Sequence, residues 1–216
     1  MKQYSLFTDK PEKFIALVDS IRDEPFYKNA ADRLLLIASQ EAGGPSLHGR
    51  IDKLSRALEG VKVVGLTMAD FPLSPEQLTN MTTGAIYTLL LFERSRVDMY
   101  HYDCRAMTAE EAGRQFRREI RYREHVAGIL VFSAGVVMEI DRFLTTVAKN
   151  NRHDIPIIGA EAGSDEVPFI FGSFGGSDCG IVALVFSGQS LHLHYNYDMG
   201  WKPIGKDMTI TATDGS

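Results

Sequence analysis

The sequence predicts an α/β protein of two packed mixed sheets with helices on their outer faces, an αββα-like sandwich. Three observations favour this class. Amphipathic helical segments alternate with short apolar strands, the same order of segments occurs twice, and each copy closes with an apolar strand followed by an alternating one. One mixed sheet with helices on both faces is the alternative that this pattern leaves open.

An internal repeat organises the chain at an offset of 94 or 95 positions. Gly84 to Asp103 ends in Tyr-His-Tyr-Asp, and Cys179 to Asp198 ends in Tyr-Asn-Tyr-Asp. Because these blocks keep their order with almost no drift, we interpret the chain as two copies of one unit. Two upstream pairs of blocks support the same register: Leu36 to Ser39 with Leu130 to Ser133, and Val63 to Gly65 with Ile157 to Gly159.

The predicted units have the order α-β-α-β-β-β and together form a single domain over 1–216. The first unit spans about 10–103, the second spans about 108–198, and a terminal strand segment follows at 199–216. In each unit we predict that the last two strands pair as an antiparallel hairpin, because turn residues separate an apolar run from an alternating one.

In the first unit, a lead-in over 1–9 precedes a helix that starts at Pro11, with Asp9 as its candidate cap. The next helix has Ser46 as its candidate cap and ends at Gly60. Apolar residues at helical spacing mark one face of each helix: Phe14, Leu17, Val18 and Ile21 in the first, and Leu47, Ile51, Leu54 and Leu58 in the second. Buried strands are predicted at 33–39 and 61–67, a loop at 70–83 and the first hairpin at 84–103.

The second unit opens with a capping box, in which Thr108 is the cap and Glu111 lies three residues on. Its first helix runs to about Arg123, and apolar residues from Val137 to Val147 mark the next helix. The remaining predictions are strands at 126–133, 155–160 and about 169–172, a glycine-rich region at 162–180, the second hairpin at 179–198 and a last strand at 208–212.

Composition and charge exclude several classes of protein. The formal net charge of −5 offers no electrostatic basis for binding nucleic acid or an anionic membrane surface. The longest apolar runs have the length of strands and fall far short of a membrane span, and Met1 to Lys10 lacks the apolar core of a signal peptide. Two cysteines are too few for a disulfide framework, so we expect a cytoplasmic protein in a reducing compartment.

Three segments resemble those of FIST domains, which are sensory domains of bacterial signal transduction. Ile155 to Gly163, IPIIGAEAG, is similar to the family's vvGGsAGd turn, with Gly159-Ala160 in place of the Gly-Gly pair and Glu161 in place of the following Ser. A Gly-rich strand, FIFGSFGGSDCG, follows at 169–180. The most specific segment is MGWKPIGKDMTITATDGS at 199–216, which resembles the family's GWrPiGkpftVTkadG. The resemblance covers most of the chain and corresponds to the family's N-terminal region.

This resemblance implies a sensory function rather than catalysis. It implies a small-molecule ligand, for which amino acids are one proposal, and a signal-transduction output that the ligand regulates by favouring one of two conformations. The implied partners are the family's C-terminal region and a signalling output domain or a separate partner protein. The resemblance implies no cofactor.

Candidate ligand-binding residues lie where strands end, because ligands of α/β sheets commonly bind outside the carboxyl ends of strands. Ser39 and Ser133 follow matched strands, although each serine equally suits a structural role in a cap or a turn. Glu161 lies in a small-residue turn, where its carboxylate could pair with the ammonium group of a ligand. The predicted ligand site comprises Ser39, Gln40, Ser133, Ala134, Gly135, Gly159, Glu161, Gly163 and Ser173, with no catalytic residue and no metal ligand.

Other chemical signals in the sequence are weaker. His192 and His194 alternate along one predicted strand, but no third metal ligand follows at a useful spacing. The glycines over 172–176 lack the context of a phosphate-binding loop. Arginines over 114–123 alternate with acidic residues, which indicates a solvated helix face.

Two other classes of function stay open. An α/β enzyme, or a degenerate descendant of one, would use Cys179, Glu161 or the pair His192 and His194, with a nucleophile and a base within hydrogen-bond reach in one cleft. An interaction or dimerisation module would instead present a large exposed apolar patch and no enclosed polar pocket.

Overall fold

The structure is a computed structural model that describes residues 1–41, 43, 45–69, 84–135, 139–149, 155–164 and 166–194. The predicted loop at 70–83, the predicted strand at 208–212 and the terminal segment 199–216 lie outside the described residues. The strands of the described part are β1 Lys2–Thr8, β2 Asp32–Ser39, β3 Lys62–Thr67, β4 Ala85–Phe92, β5 Arg96–Asp103, β6 Val126–Ala134, β7 Ile157–Glu161, β8 Ile170–Gly172, β9 Gly175–Ser177 and β10 Gly180–Ser187. Its helices are α1 Pro11–Ile21, α2 Pro25–Lys28, α3 Pro45–Ala57, α4 Ala109–Ile120 and α5 Ile140–Ala148.

The strands form two mixed sheets, as the sequence predicts. The larger sheet has the order β1-β4-β2-β3-β8-β9, and the smaller has the order β5-β10-β6-β7. In the larger sheet β2 and β3 are parallel, and in the smaller sheet β6 and β7 are parallel, while all other neighbours are antiparallel. The carboxyl ends of each parallel pair therefore meet at one edge of their sheet, with Ser39 beside Thr67 and Ser133 beside Glu161.

Three hydrophobic layers hold the sandwich together. Helices α1 and α3 cover the outer face of the larger sheet, where Phe14 and Leu54 pack with Leu35. The two sheets pack face to face through a second cluster that includes Leu34 and Val182. On the outer face of the smaller sheet, α4 and α5 contribute a third cluster whose largest side chains are Phe116 and Phe143. This arrangement confirms the predicted αββα architecture.

The helix termini follow the sequence signals at several points. Pro11 occupies the first turn of α1, where its missing N–H is not needed. Thr108 caps α4 through a complete capping box, because its hydroxyl accepts from the backbone N–H of Glu111 while the Glu111 carboxylate accepts from the backbone N–H of Thr108. Gly60 follows α3 with a φ of 78°, a left-handed conformation that suits glycine after a helix.

Three predictions in the first unit are wrong. The segment predicted as a lead-in forms β1, which pairs antiparallel with β4 at the edge of the larger sheet. The residue before α1 is Lys10, which makes no side-chain capping bond, so Asp9 does not cap the helix. Helix α3 begins at Pro45, and Ser46 therefore lies within its first turn rather than before it.

The first predicted hairpin is wrong, and the second does not form within the described residues. Strands β4 and β5 follow each other along the chain but lie in different sheets, β4 between β1 and β2 and β5 beside β10. After β10, residues 191–194 form no strand, and 195–198 lie outside the described residues. A turn between two strands predicts a hairpin only when both strands remain in one sheet, and here the chain crosses from one sheet to the other at Glu93–Ser95.

Candidate functional site

A cleft lies at the carboxyl ends of β2 and β3, beside the inner face of α3. We call it the α3 cleft, and its volume is about 460 Å³. Its apolar wall comes from Ile37 of β2 and from Leu47, Ile51 and Leu54 of α3. Its polar lining includes Thr8, Asp9, Ser39, Gln40, Glu41, Arg50, Tyr87, Ser164 and Glu166.

Ser39 is the last residue of β2, and its backbone and side chain both fix the turn that follows. Its hydroxyl accepts a hydrogen bond of 3.1 Å from the backbone N–H of Glu41, and its carbonyl accepts one of 2.7 Å from the N–H of Met68. Ser39 is only 3% exposed, yet it lines the cleft. Because a serine hydroxyl also carries a proton, it can still donate one hydrogen bond to a ligand there.

The charged residues of the α3 cleft come from four separate segments, which carry Asp9, Glu41, Arg50 and Glu166. Arg50 of α3 forms an ion pair with Glu41, and its Nη1 donates to the backbone carbonyl of Asp9 over 3.4 Å. Glu166 brings a further carboxylate to the same cleft, in a turn in which its N–H donates to the Ser164 hydroxyl over 3.1 Å. A cation and carboxylates thus line one small volume.

Tyr87 of β4 adds a buried phenol to this lining. Its ring is 5% exposed and stacks on Phe14 with the ring centroids 5.1 Å apart. Burial raises the pKa of Tyr87, an effect that the nearby Arg50 cation partly opposes. The phenol therefore stays neutral near neutral pH and can donate a hydrogen bond into the cleft.

A second, smaller cavity lies at the corresponding edge of the other sheet. This α5 pocket has a volume of about 190 Å³ and is lined by Ser133, Gly159 and Glu161 together with apolar residues such as Ile140 and Leu144. Ser133 is 2% exposed, whereas Glu161 is exposed. The pair lies in register across β6 and β7, so the sequence-based grouping of these two side chains is reproduced by the geometry.

A short segment after β7 connects the two cavities. The N–H of Ala162 donates to the carbonyl of Ser133 over 2.7 Å, and the N–H of Gly163 donates to the carbonyl of Thr67 over 2.9 Å. One residue further on, Ser164 lines the α3 cleft. The chain therefore passes from the edge of the smaller sheet to the edge of the larger one within three residues.

A protein-family model of the FIST N domain matches residues 33–216. The chain belongs to the FIST family. FIST domains are sensory domains of signal transduction, so the resemblance noted in the sequence is confirmed for the family. No curated protein sequence matches the chain at the significance required. The match begins within β2, so β1 and α1 of this FIST domain precede the matched region.

The predicted ligand residues of this FIST domain are divided between the two cavities. Ser39 and Gln40 line the α3 cleft, while Ser133, Gly159 and Glu161 line the α5 pocket. The structure therefore does not bring Ser39 and Ser133 to one site. Each lies at the end of the parallel pair in its own sheet.

The other predicted residues of the FIST domain take part in its packing. Ala134 is fully buried in the layer between the sheets. Gly135 has a φ of 122°, and a Cβ there would lie 3.1 Å from the carbonyl oxygen of Asp178. Ser173 bonds twice to Val63 near the start of β3, at the end of that strand opposite the α3 cleft.

Sequence reasoning missed most of the polar residues in the α3 cleft. The sequence prediction assigns Thr8 and Asp9 to a lead-in, although the alternation of Tyr4, Leu6 and Thr8 is typical of a strand such as β1. Arg50 lies on an amphipathic helix that the sequence predicts. Its position along that helix does not distinguish it from a solvated arginine. Glu166 comes from a distant segment, which no local pattern assigns to α3.

The alternative chemistries find little geometric support. Cys179 lines a third cavity, Glu161 lines the α5 pocket, and His192 and His194 are exposed on the segment after β10. These residues therefore do not meet in one cleft as an enzyme would require. Within the described ranges, no group of three or more His, Cys, Asp or Glu side chains could hold a metal ion. Among the helices that the structure describes, none has the length and apolar character needed to cross a membrane.

Proposed function

We propose that this FIST domain binds a small zwitterionic metabolite, such as an amino acid, in the α3 cleft and thereby regulates a signal-transduction output. The observation that carries the proposal is the combination of Arg50, Glu166 and the Ser39 hydroxyl in one cavity of about 460 Å³. That volume lies within the range of about 300–1,000 Å³ that is usual for small-molecule sites.

The charges of the α3 cleft are suited to the two ends of an amino acid. A ligand carboxylate would accept from Arg50, whose guanidinium has five N–H donors and uses only some of them for Glu41 and Asp9. A ligand ammonium group would pair with the carboxylate of Glu166. The Ser39 and Tyr87 hydroxyls supply further donors, and the apolar wall from α3 would accommodate a side chain.

The segment after β7 offers a route from ligand to output. Glu166 would contact the ligand, while four residues earlier the backbone is hydrogen-bonded to Ser133 of the smaller sheet, and three residues earlier to Thr67 of the larger one. A ligand that holds Glu166 would favour one arrangement of this segment over another, which is the differential affinity that a conformational signal requires. The output module and a bacterial setting are expectations from the family resemblance, and a cytoplasmic setting is an expectation from the low cysteine content.

A thermal-shift panel of amino acids and related metabolites tests the binding. A ligand at one hundred times its Kd adds about 2.7 kcal/mol to the free energy of unfolding. For a chain of this size, that corresponds to a rise in Tm of roughly 5–10 °C. A panel without any shift, on protein with native circular dichroism, would contradict the proposal.

Matched variants locate the site. Ser39→Ala and Glu166→Gln should abolish the ligand-induced shift, because the first removes a hydroxyl donor and the second removes a negative charge of the α3 cleft. Ser133→Ala and Glu161→Gln make the same chemical changes in the α5 pocket and should leave the shift intact. The reverse pattern would assign the ligand to the α5 pocket, which is the second candidate because it holds Ser133 and Glu161 together.

We further propose that the chain arose by internal duplication, with units that differ from the predicted ones. The orders β1-β4-β2-β3 and β5-β10-β6-β7 correspond strand by strand, which supports units over about 2–92 and 96–187. When the two units are aligned in this way, β1 corresponds to β5. The sheet edge with the α3 cleft then corresponds to the sheet edge with the α5 pocket. An experimental structure in which these two segments fail to superpose would contradict the duplication.

A further inference from the structure

The two cysteines of the chain lie opposite each other, where β5 ends and β10 begins. Asp103 pairs with Gly180 at the end of the antiparallel β5–β10 ladder. The next residues beyond these strand ends, Cys104 and Cys179, therefore face each other. The backbone confirms this pairing, since the N–H of Cys104 donates to the carbonyl of Cys179 over 3.0 Å. Both thiols are free.

The side chains of this pair point to the same face of the sheet. In the same register Tyr102 pairs with Ile181, and both belong to the cluster beneath α4 and α5. Alternation places Cys104 and Cys179, two residues further along each strand, on that face as well. Hydrogen-bonded antiparallel partners have Cα atoms about 5.5 Å apart, and a disulfide spans about 4.4–6.8 Å between Cα atoms.

The thiols open onto a cavity of their own. It has a volume of about 500 Å³, and none of the residues that line it lines the α3 cleft or the α5 pocket. An ion pair between Arg105 and Asp178 joins the two residues that flank the cysteines. Gly135 packs against Cys179, because a Cβ there would lie 3.5 Å from its Sγ and 3.3 Å from its Cα. The two chain segments that carry the thiols are thus held side by side.

We propose that Cys104 and Cys179 form a dithiol site that undergoes thiol–disulfide exchange with low-molecular-weight disulfides. The Cys179 thiolate attacks one sulfur of such a disulfide, which breaks its S–S bond and releases one thiolate. The Cys104 thiol then loses its proton and attacks the Cys179 sulfur, which releases the second thiolate and closes the Cys104–Cys179 bond. Two protein thiols are oxidised, and one disulfide is reduced to two thiols.

The surroundings of the two thiols set the order of these steps. Burial, together with the neighbouring Cys179 and Asp103, raises the pKa of Cys104 to about 11. Cys104 is therefore rarely a thiolate near neutral pH, and the first attack falls to Cys179. The second attack is intramolecular, and proximity compensates for the small thiolate fraction of Cys104.

Oxidised glutathione, followed by intact-mass analysis and thiol titration of the full chain, tests the site. The expected product is a monomer that has lost two hydrogen atoms and has no free thiol, and dithiothreitol should restore both thiols. Its Tm should exceed that of the reduced protein, since the bond restricts the unfolded chain. A stable glutathione adduct on the wild-type protein, a disulfide-linked dimer, or two unreacted thiols would each overturn the proposal.

Single variants test the order of attack. Cys104→Ser should stop at a glutathione adduct on Cys179, because the second thiol is missing. Cys179→Ser should react far more slowly, because only Cys104 remains and its raised pKa keeps it protonated. If the two variants react with oxidised glutathione at equal rates, the assigned order of attack is overturned. The wild-type mass measurement tests the disulfide itself even if either variant fails to fold.

Discussion

At the scale of single residues, Ser39 and Ser133 show how matched positions acquire different surroundings. Each is a buried serine at the end of a strand that has a parallel neighbour. Beside Ser39, helix α3 contributes Arg50 and the cleft measures about 460 Å³, whereas beside Ser133 helix α5 contributes apolar side chains and the pocket measures about 190 Å³. The helix that covers the strand end, rather than the serine, determines what each site can bind.

The ionisation of buried side chains leads to a prediction at the same scale. Burial raises the pKa of Cys104 from 9.0 to about 11 and also raises the pKa values of Tyr87 and Tyr102. The folded protein therefore keeps protons that the unfolded chain releases. This contribution to the free energy of unfolding is fully present below pH 9 and is lost as the pH rises through about 11.

Urea unfolding under reducing conditions, at pH values from about 8 to 11, checks this dependence. The wild-type protein should lose stability across that window. Cys104→Ser should lose less, because the remaining loss comes from the tyrosines. If the free energy of unfolding falls with pH equally steeply in the two proteins, Cys104 makes no contribution to this pH dependence.

At the scale of elements, α4 shows how local signals and packing cooperate. Its inner face places Phe116 against Tyr100 and Phe143, with ring centroids 5.5 and 5.7 Å apart. Glu119 near its end accepts a hydrogen bond from the Tyr102 hydroxyl of β5. The outer face carries the predicted arginines, of which Arg114 forms an ion pair with Glu110 one turn away. The arginine-rich surface is thus solvated and partly paired, as the sequence indicates.

The capping box of α4 gives a prediction about this element. Thr108→Ala removes the acceptor for the backbone N–H of Glu111, which lies 3.2 Å from the threonine hydroxyl. The free energy of unfolding should fall by about 1 kcal/mol, with a usual range of about 0.5–2 kcal/mol for such caps. Chemical denaturation measures this difference. Thr108→Ser is the matched control, and it should retain most of the stability because serine caps equally well.

At the scale of the whole molecule, polar bonds join the two sheets at one end. Asp32, the first residue of β2, accepts from Lys62 Nζ at 2.5 Å and from the backbone N–H of Val97 at 2.9 Å. Lys62 Nζ also donates to the carbonyl of Val97 over 2.6 Å. Since β5 carries Val97 and belongs to the smaller sheet, these bonds bridge the sheets beside the site where the chain crosses between them.

Removing this bridge should destabilise the whole sandwich. Asp32→Ala leaves the N–H of Val97 without its acceptor and the ammonium group of Lys62 without its carboxylate partner, and hydrogen bonds to charged groups contribute about 1.5–3 kcal/mol. We therefore expect a loss of about 2–3 kcal/mol in the free energy of unfolding, measured in urea. Glu12→Ala removes an exposed partner of Lys53 and is the matched control, which should change the stability little. Equal losses in both variants would contradict a special role for the bridge.

Much of this architecture could be predicted because helices and strands differ in the period of their apolar residues. The faces of α1 and α3, the capping box at Thr108 and the α/β class all follow from spacing within short windows. The family could be recognised as well, because its turn around Gly159 and its terminal segment are local patterns. Part of the α5 pocket was predictable for the same reason, since Gly159 and Glu161 lie two residues apart on β7.

The sequence by itself determined most of the helices and strands, the layered α/β class and the family of this protein, because each depends on residues close together along the chain. Only the tertiary structure decided that β4 and β5 separate into two sheets and that Asp9, Arg50 and Glu166 meet in the α3 cleft. The backbone groups that pair strands are the same in every residue, so local pattern cannot choose between partners. That choice depends on how the helices and both sheets bury their apolar faces together.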